Sequence, residues 1–297
     1  MKKNYLFIFF LISLFTNSIL IVNNVQNENL KPLNTLNSSY TSRKISFSGY
    51  DWTVRTSQGA LQGPGPNLFN DSEDSVWLDT NDYLHLKIRN DSLNWYCAEV
   101  YSDLSFGYGT YIFKLASGFE NLDINVVVGL FTYLDDEHEI DIEYTRWGDT
   151  NLENGQYVCQ PYYNAGNKYR YELEETGQAS IHAFTWCENY IKFETELGST
   201  YNGEDNQQIS SWFYTGDDIP EPSTERVHMN LWLFQGNAPT DETACEVIIK
   251  EFSFMPSDCD DKIPWHISSS SISIIVIFSI CAISYLYIRL KQKTKIY

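Results

Sequence analysis

The stretch Glu139-Ile140-Asp141-Ile142-Glu143 alternates acidic and apolar residues with a period of two. Successive side chains of a β-strand point to opposite faces of the sheet, so the acids share one face and the isoleucines share the other. Neighbouring carboxylates repel one another, and a strand with a purely structural role gains nothing from such a row. The stretch therefore predicts a strand whose apolar face lies on a core and whose acidic face serves a chemical function.

Paired carboxyl groups are the machinery of glycosidic bond hydrolysis, in which one acts as nucleophile or base and the other as acid. Glu139 and Glu143 are four positions apart. In a strand that rises roughly 3.3 Å per residue, this places their Cα atoms about 13 Å apart. Side chains that lean toward each other close most of this gap, and Asp141 between them can shift the pKa of a neighbour. A solvated acidic strand or a calcium-binding patch fits the same residues, so the spacing leaves these alternatives open.

The composition suits a large, aromatic-rich domain. The chain has 297 residues, of which 15% are aromatic, and its net charge is −19. This negative charge argues against a nucleic acid as partner, because phosphate backbones are bound by cationic surfaces. Aromatic side chains favour strands and provide flat surfaces on which sugar rings stack.

Short strand-like segments separated by turn residues fill the middle of the chain. Residues 83–89 and 225–235 alternate apolar with polar or aromatic residues, and residues 125–134 form an apolar run rich in β-branched residues. No long amphipathic helix is evident between residues 46 and 256, so this region is predicted to be one all-β domain, a sandwich or a barrel. In the segment 225–235, one face carries His228, Asn230, Trp232 and Phe234. A face of amides and rings is typical of a sugar-binding surface.

The beginning of the chain has the composition of a targeting segment. Lys2 and Lys3 precede an apolar run, so residues 1–23 are predicted to be a secretory signal or an uncleaved anchor. Residues 24–45 lack periodicity and are predicted to be a linker. Export would permit one or two disulfides among the six cysteines, but the spacing of the cysteines does not indicate their pairing.

The end of the chain has a second apolar run, residues 267–288. A basic tail without acidic residues, 289–297, follows this run. The run predicts a transmembrane helix after a short stalk at 257–266. Basic residues favour the cytoplasmic side, so we expect a single-pass protein of the cell membrane with its all-β domain outside the cell.

Several motifs resemble glycoside hydrolase family 16, and especially its lichenase-like branch. Phe131-Thr132-Tyr133 leads into the acidic strand, which lacks the extra residue that other branches of the family carry before the last Glu. The other matching segments are residues 106–111 (FGYGTY), 181–186 (IHAFTW), 190–193 (YIKF) and 229–232 (MNLW). They occur in the order found in the family, and the resemblance covers about residues 46–256.

The resemblance implies a concanavalin-like β-jelly-roll sandwich of two curved antiparallel sheets, with the substrate cleft on the concave face. By position, Glu139 would be the nucleophile, Asp141 the assisting carboxyl and Glu143 the acid/base. The residues that would bind substrate are Gln160, Trp186, Asn230, Trp232, Glu99 and Trp147. The chemistry implies no cofactor, although Glu251 falls near a position where relatives bind a structural calcium ion.

These features together predict a retaining, endo-acting glycoside hydrolase that cleaves a β-linked polysaccharide, a β-1,3- or β-1,3/1,4-glucan, at the cell surface. The alternatives are a transglycosylase that remodels surface glycans and a lectin-like module that binds sugar without turnover. Retention of the acidic row counts against the lectin-like module. His138 replaces the Trp or Asp usual in the family just before the first Glu, and it either alters the pH dependence of the acids or faces away from them.

Overall fold

A computed structural model describes residues 41–174, 176–256 and 259. Within these ranges the chain is all-β, with sixteen strands and one short 3₁₀ turn. The predicted signal segment, transmembrane helix and basic tail lie outside the described residues. No helix in the described part is long and apolar enough to cross a membrane.

The strands follow one another along the whole described part of the chain. They are β1 (Lys44–Phe47), β2 (Tyr50–Val54), β3 (Leu68–Phe69), β4 (Val76–Leu78), β5 (Leu84–Asn90), β6 (Trp95–Ser102), β7 (Gly109–Leu115), β8 (Val126–Tyr133), β9 (Glu139–Tyr144), β10 (Gly155–Cys159), β11 (Lys168–Tyr171), β12 (Ser180–Cys187), β13 (Tyr190–Leu197), β14 (Gln207–Tyr214), β15 (Arg226–Leu233) and β16 (Cys245–Pro256). The 3₁₀ turn, Phe234–Gly236, directly follows β15.

The alternating segments predicted strands at the positions of β5, β9 and β15, the β-branched run predicted one at β8, and all four are confirmed. One boundary needs correction, because Lys44 and Ile45 belong to β1 rather than to the predicted linker. The cysteine pairing that the sequence left open is a disulfide between Cys187 and Cys259. It joins the end of β12 to the chain just after β16.

The strands form two layers that backbone hydrogen bonds join into one continuous ladder. The first layer has the order β11-β10-β9-β8-β15-β6-β2-β1, and the second has the order β14-β13-β12-β7-β16-β5-β4. They meet where the ends of β5 and β6 pair, Arg89 with Tyr96 and Asn90 with Trp95. This is a jelly-roll-like arrangement, as the motifs implied. Among the described strands, the one parallel pairing is that of β3 with β6.

The hydrophobic core lies between the two layers. Tyr157 of β10 stacks on Phe193 of β13, with ring centroids 5.0 Å apart. Ile140 and Ile142 of β9 are completely buried in the same core. Burial of an isoleucine side chain contributes about 1.5–3 kcal/mol. The apolar face of β9 is therefore held inward, and its acidic face points away from the core.

A buried polar cluster attaches the end of β9 to the second layer. The Tyr144 hydroxyl lies 2.7 Å from His182 Nδ1, and the Tyr157 hydroxyl donates to Thr195 Oγ1 at 2.7 Å. Burial lowers the pKa of His182 to about 3, so its imidazole is neutral. Buried polar groups that find partners favour one arrangement over others, because any other arrangement leaves them unpaired. The cluster therefore helps to fix β9 in place.

Candidate active site

The acidic face of β9 borders a cleft of about 710 Å³. Glu139, Asp141 and Glu143 all border this cleft, whereas Ile140 and Ile142 lie in the core. The division of the strand into an acidic and an apolar face is therefore confirmed. Strands β8, β15 and β6 supply much of the remaining wall.

Strand register brings one row of residues into line across five neighbouring strands. Glu143 of β9 pairs with Gln156 of β10 on one side and with Gly129 of β8 on the other. Gly129 faces Asn230 of β15, which in turn faces Glu99 of β6. Directly opposite residues hold their Cβ atoms about 4.5–5.5 Å apart. Residues that are distant in the sequence thus become neighbours in one row.

Glu139 and Asp141 share a hydrogen bond within the cleft. Asp141 is 3% exposed and also accepts a hydrogen bond from Gln160 Nε2 at 3.1 Å. Burial raises the pKa of both carboxyl groups, that of Glu139 to about 8, and the bond they share raises the pKa of Asp141 further while it opposes the rise at Glu139. Asp141 is therefore the member of the pair that holds a proton, and it donates this proton to the Glu139 carboxylate.

Glu143 has different neighbours at the other end of the acidic row. Its Oε2 accepts a hydrogen bond from Gln156 Nε2 at 2.9 Å, and Arg170 Nη1 donates to Gln156 Oε1 at 2.8 Å. Burial, followed by the coulombic effect of Asp141, which shares one negative charge with Glu139, raises the pKa of Glu143 to about 8, while Gln156 and Arg170 act in the opposite direction. A carboxyl group with this pKa carries a proton at neutral pH and can donate it to a bound molecule.

Glu99 borders the cleft, but both of its carboxylate oxygens already have partners. Arg55 Nη1 donates to Oε2 at 2.7 Å, and His228 Nδ1 lies 2.9 Å from Oε1. Burial by itself would raise the pKa of Glu99, but His228 and Arg55 outweigh this effect and lower it. Glu99 is thus a buried anion in the cleft wall, where it links β6 to Arg55 and His228. It was predicted to contact substrate, but both of its oxygens are already engaged by these two residues.

Asn230 and Trp232 border the cleft on the face of β15 that the alternation predicted. Asn230 Oδ1 is buried and has no hydrogen-bond partner among the described residues. An unpartnered buried acceptor is costly, so its position favours a ligand hydroxyl as partner. Trp232 is 8% exposed, and its ring lies 6.0 Å from that of Trp147. Trp147 does not border the cleft and instead packs against Trp232.

Trp186 lies outside the cleft, which corrects the prediction that it binds substrate. It belongs to β12 in the second layer and is 1% exposed. Its Nε1 donates to the carbonyl of Pro220 at 3.0 Å, and the ring of Tyr108 packs edge-on against it at 5.3 Å. The motif identified the strand, but the pairing of β12 with β7 and β13 directs this side chain into the core.

His138 and Glu251, to which the sequence also drew attention, lie apart from the three acids. His138 is on the exposed turn before β9, with its Nδ1 2.7 Å from Asp135 Oδ1, so it faces away from the acidic row. Glu251 accepts a hydrogen bond from Lys114 Nζ at 2.8 Å. In the part of the chain that the structure describes, no group of three or more His, Cys, Asp or Glu residues could hold a metal ion. Glu251 therefore belongs to no such side-chain cluster in this part of the chain.

Three residues that shape the site were missed at the sequence level: Gly129, Gln156 and Arg55. The sequence does contain an indication for Gly129, because a glycine inside a predicted strand often marks a position where another group approaches the backbone closely. A Cβ atom at this position would lie 2.4 Å from Asn230 Oδ1. Gln156 and Arg55 carry no comparable local signal, since Gln156 reaches the site through the register of β10 on the preceding strand β9, and Arg55 through the pairing of β2 with the distant β6.

The raised pKa of Glu143 predicts a pH-dependent gain in stability for Glu143→Gln. Below pH 4.5, the ordinary pKa of a glutamate, Glu143 is protonated in both the folded and the unfolded chain. As the pH rises from 4.5 to about 8, the unfolded chain releases this proton while the folded chain still holds it, so the folded state loses stability relative to the unfolded state. The melting temperature of the variant should therefore exceed that of the wild type at pH 8, and the gap should close toward pH 4.5. The exposed Glu188→Gln is the control, and a gap that does not change with pH would contradict the shift.

Neither a protein-family model nor a curated protein sequence matches this chain. Solved structures do match. A Bacillus licheniformis β-glucanase is 19% identical with a TM-score of 0.53, and the match covers 74% of this chain and all of that one. A family 16 glycosyl hydrolase from Mycobacterium smegmatis is 16% identical with a TM-score of 0.51, covering 67% and 89%. A Mycobacterium tuberculosis protein described as an immunostimulatory antigen and pseudo β-1,3-glucanase is 19% identical with a TM-score of 0.52, covering 69% and 91%.

The chain has a fold like that of glycoside hydrolase family 16. At these sequence identities the likeness establishes the fold, which agrees with the resemblance carried by the motifs. The family 16-like fold places the acidic strand β9 in the first layer, at the cleft. The chemistry of the cleft then depends on this chain's own residues.

Proposed function

We propose that the chain is a retaining, endo-acting glycoside hydrolase that cleaves a β-linked polysaccharide, a β-1,3- or β-1,3/1,4-glucan. The observation that carries this proposal is the set of three carboxyl groups on β9, which border one cleft in different environments. One acid that stays ionised beside one that stays protonated is the division of labour that glycoside hydrolysis needs. The β-glucanase among the solved structures supports the choice of polymer.

The reaction proceeds in two displacements. The Glu139 carboxylate attacks the anomeric carbon while Glu143 gives its proton to the departing oxygen, so the glycosidic bond breaks as an ester bond to Glu139 forms. Glu143, now ionised, takes a proton from water, whose oxygen attacks the same carbon and releases Glu139. Asp141, hydrogen-bonded to Glu139, stabilises the carboxylate at the start and at its release. Two inversions leave the anomeric configuration unchanged.

The residues of β15 supply contacts for the sugar beside the acids. The unpartnered oxygen of Asn230 accepts a hydrogen bond from a sugar hydroxyl. The ring of Trp232, supported by Trp147, provides a surface for the apolar face of a sugar ring. Gln160 sits beside Asp141 and keeps its amide directed at that carboxyl. These contacts orient the polymer so that a glycosidic oxygen reaches Glu143.

Two other functions remain as candidates. Transfer to a sugar hydroxyl instead of water uses the same carboxyl groups and gives a transglycosylase. Sugar binding without turnover is favoured by one observation, since a solved structure with a similar fold is described as a pseudo β-1,3-glucanase. The three acids of β9 count against it, because a pure binder has no need to keep charged groups that repel one another in a half-buried cleft.

A glycan panel tests the proposal. The full-length chain is incubated with β-1,3-glucan, mixed-linkage β-1,3/1,4-glucan and a β-1,4-glucan control, and products are measured by mass spectrometry. Short oligosaccharides with new reducing ends are expected from the first two polymers. Proton NMR of the first anomer formed should show the β-configuration. Longer products than the substrate would indicate transfer, and binding without products would support the lectin-like alternative and contradict hydrolysis.

The proposal includes a location at the cell surface, with the β domain outside. It is supported by the apolar runs at residues 1–23 and 267–288 and by the basic tail at 289–297. Protease treatment of intact cells that express the chain with a tag at its C-terminus should remove the β domain and leave the tag protected. Survival of the β domain under these conditions would contradict the location.

Gly129→Ala should lower the activity by blocking the space between Glu143 and Asn230. The new Cβ atom would meet Asn230 Oδ1 at 2.4 Å and displace the amide that contacts the sugar. Because small displacements of positioning groups are costly in catalysis, we expect kcat/KM to fall by about tenfold to 100-fold. Gly166 is exposed, lies outside the cleft and has nothing within 4 Å of its Cβ position, but its φ of +93° strains an alanine; Gly166→Ala should therefore lose stability and keep wild-type activity, which makes it a control for the loss of a glycine elsewhere. Equal losses in the two variants would contradict a role for the space at Gly129.

Gln156→Met should move the basic limb of the pH profile of kcat/KM to higher pH. Activity requires protonated Glu143, so this limb falls as pH rises through the pKa of Glu143, about 8. The hydrogen bond from Gln156 lowers that pKa, and its loss lets the pKa rise. An unchanged limb, or one moved to lower pH, would show that Glu143 is not the group that titrates there.

A further inference from the structure

A second concavity, here called the β5 groove, lies beside β4 and β5 in the second layer. It has a volume of about 1240 Å³, and its borders include Arg43, Trp77, Lys87, Arg89, Trp95 and Glu242. None of the described residues that border it also borders the cleft. Pockets for small ligands typically measure about 300–1,000 Å³. The β5 groove therefore has room for an extended ligand.

Trp77 presents a fixed aromatic surface to the β5 groove. Its indole stacks on the imidazole of His85, its cross-strand partner, with centroids 4.7 Å apart and an angle of 18° between the rings. His85 is held in turn by Glu246, whose Oε1 lies 2.7 Å from Nδ1. Trp77 remains half-buried, so one side of the indole is supported while the side chain stays accessible. Its orientation is set before any ligand arrives.

Trp95 provides a second aromatic surface at the junction of the two layers. It is the cross-strand partner of Asn90 and is half-buried. Sugars bind such rings through the C–H groups of their apolar faces, and two rings that border one groove can hold successive parts of a chain. A groove with two accessible indoles therefore suits an oligosaccharide better than a compact polar ligand.

The charged side chains that border the β5 groove are almost balanced in sign. The cations are Arg43, Lys44, Lys87 and Arg89, and the anions are Glu73, Asp74 and Glu242. Arg89 donates through Nε and Nη2 to the hydroxyls of Ser75 and Ser72, at 3.0 and 3.3 Å, and its Nη1 has no partner among the described residues. The near balance disfavours a strongly charged ligand, whereas free donors and carboxylates together suit the hydroxyl groups of a neutral one.

We propose that the β5 groove is a second binding site for a neutral polysaccharide, and that it holds the polymer while the cleft cleaves it. The indole of Trp77, which His85 supports, the accessible indole of Trp95 and the nearly balanced charges carry this assignment. The identity of the polymer, the β-glucan of the cleft, rests on the proposed function. Attachment at a second site raises the local concentration of polymer at the cleft, so the β5 groove matters for long or insoluble substrates and not for short ones.

The test is a titration of the full-length chain carrying Glu139→Gln, which prevents turnover. Protein is made in a bacterial host that does not N-glycosylate, because Asn90 heads an Asn-x-Ser sequon at the groove. A detergent without a sugar headgroup avoids competition. Calorimetry with a β-1,3/1,4-gluco-oligosaccharide should give two equivalents bound per chain. Adding Trp77→Ala and Trp95→Ala should leave one equivalent.

The matched controls lie in the hairpin of β5 and β6, which contains Trp95. Leu93 is 88% exposed next to Trp95 but does not border the β5 groove, so Leu93→Ala should keep both equivalents. Trp95→Phe, which keeps an aromatic ring, should bind more tightly than Trp95→Ala. In the active enzyme, the double alanine variant should cleave insoluble glucan about tenfold more slowly, a loss of about 1.4 kcal/mol in effective binding. Its kcat on a short soluble oligosaccharide should equal that of the wild type.

The outcomes separate this inference from the proposed function. One equivalent bound in the Glu139→Gln chain and unchanged by the tryptophan substitutions, together with normal cleavage of glucan, would overturn the second site alone. Binding at the β5 groove of an acidic polysaccharide but not of β-glucan would overturn the neutral ligand. Absence of both cleavage and binding of every β-glucan would overturn the proposed function and this inference with it. Equal melting temperatures of the variants exclude misfolding as the cause.

Discussion

Replacing Glu139 by Gln is expected to abolish β-glucan hydrolysis, with a loss of roughly 10⁴-fold or more in kcat. The amide has almost the same shape as the carboxylate but cannot form the glycosyl ester, so the first displacement stops. The effect should lie in kcat, because the sugar contacts at Asn230 and Trp232 remain. Initial rates of reducing-end release from mixed-linkage glucan measure it.

Glu137 provides the matched control for this substitution. It is an exposed acid on the turn just before β9, outside the acidic row. Glu137→Gln changes the same charge two positions away and should keep wild-type activity. Melting temperatures of the variants show whether each domain is folded. Wild-type activity in Glu139→Gln would refute the assignment of the nucleophile, and a loss in both variants would indicate that total charge matters instead.

Replacing Glu143 by Gln is expected to give a loss that depends on the leaving group. On glucan, whose departing oxygen needs a proton, we expect a fall of about 10²–10⁴-fold, the usual contribution of a general acid. On an aryl glycoside with an acidic phenol, the first displacement should continue at nearly the wild-type rate. The second displacement should then be slow, since no base activates water, and the ester to Glu139 should accumulate. Mass spectrometry of the intact protein detects this added sugar.

Azide provides a further readout for the same variant. A small anion needs no base, so azide should restore turnover of the aryl glycoside by Glu143→Gln and give a β-glycosyl azide. It should not rescue Glu139→Gln in the same way, because that variant forms no ester. Equal losses on glucan and on the aryl glycoside, without azide rescue, would show that Glu143 is not the acid/base.

Much of the candidate site follows from the period of two in a strand. Glu139, Asp141 and Glu143 share a face because every second side chain of β9 does, and the buried Ile140 and Ile142 select which face turns outward. The same rule placed Asn230 and Trp232 on the cleft side of β15. Such predictions need only the local chain and one apolar face, so they hold without knowledge of the partner strands.

Other features depend on how distant strands pair. Trp186 has the residue type of a sugar-binding group, yet it is buried between the layers because of the place of β12 in the second layer. Gln156 and Arg55 enter the site because β10 pairs with β9 and β2 pairs with β6. No periodicity within the chain encodes these pairings. The pairings of β2 with β6 and of β7 with β12 close loops between segments that are far apart, which only the folded core makes favourable, and the register of β10 on β9 depends on the same core.

Local sequence patterns are sufficient to predict an all-β domain, a row of acids on one strand, and amides and rings on a second strand. These properties are local, because a strand alternates its side chains wherever it lies. Only the tertiary packing sets how these acids hold protons. Burial raises the pKa of Glu139 and of Glu143 to about 8, while the hydrogen bond from Asp141 opposes the rise at Glu139, and Gln156 and Arg170 oppose it at Glu143. Protonation depends on desolvation and on neighbours from other strands, and both arise only when the layers pack.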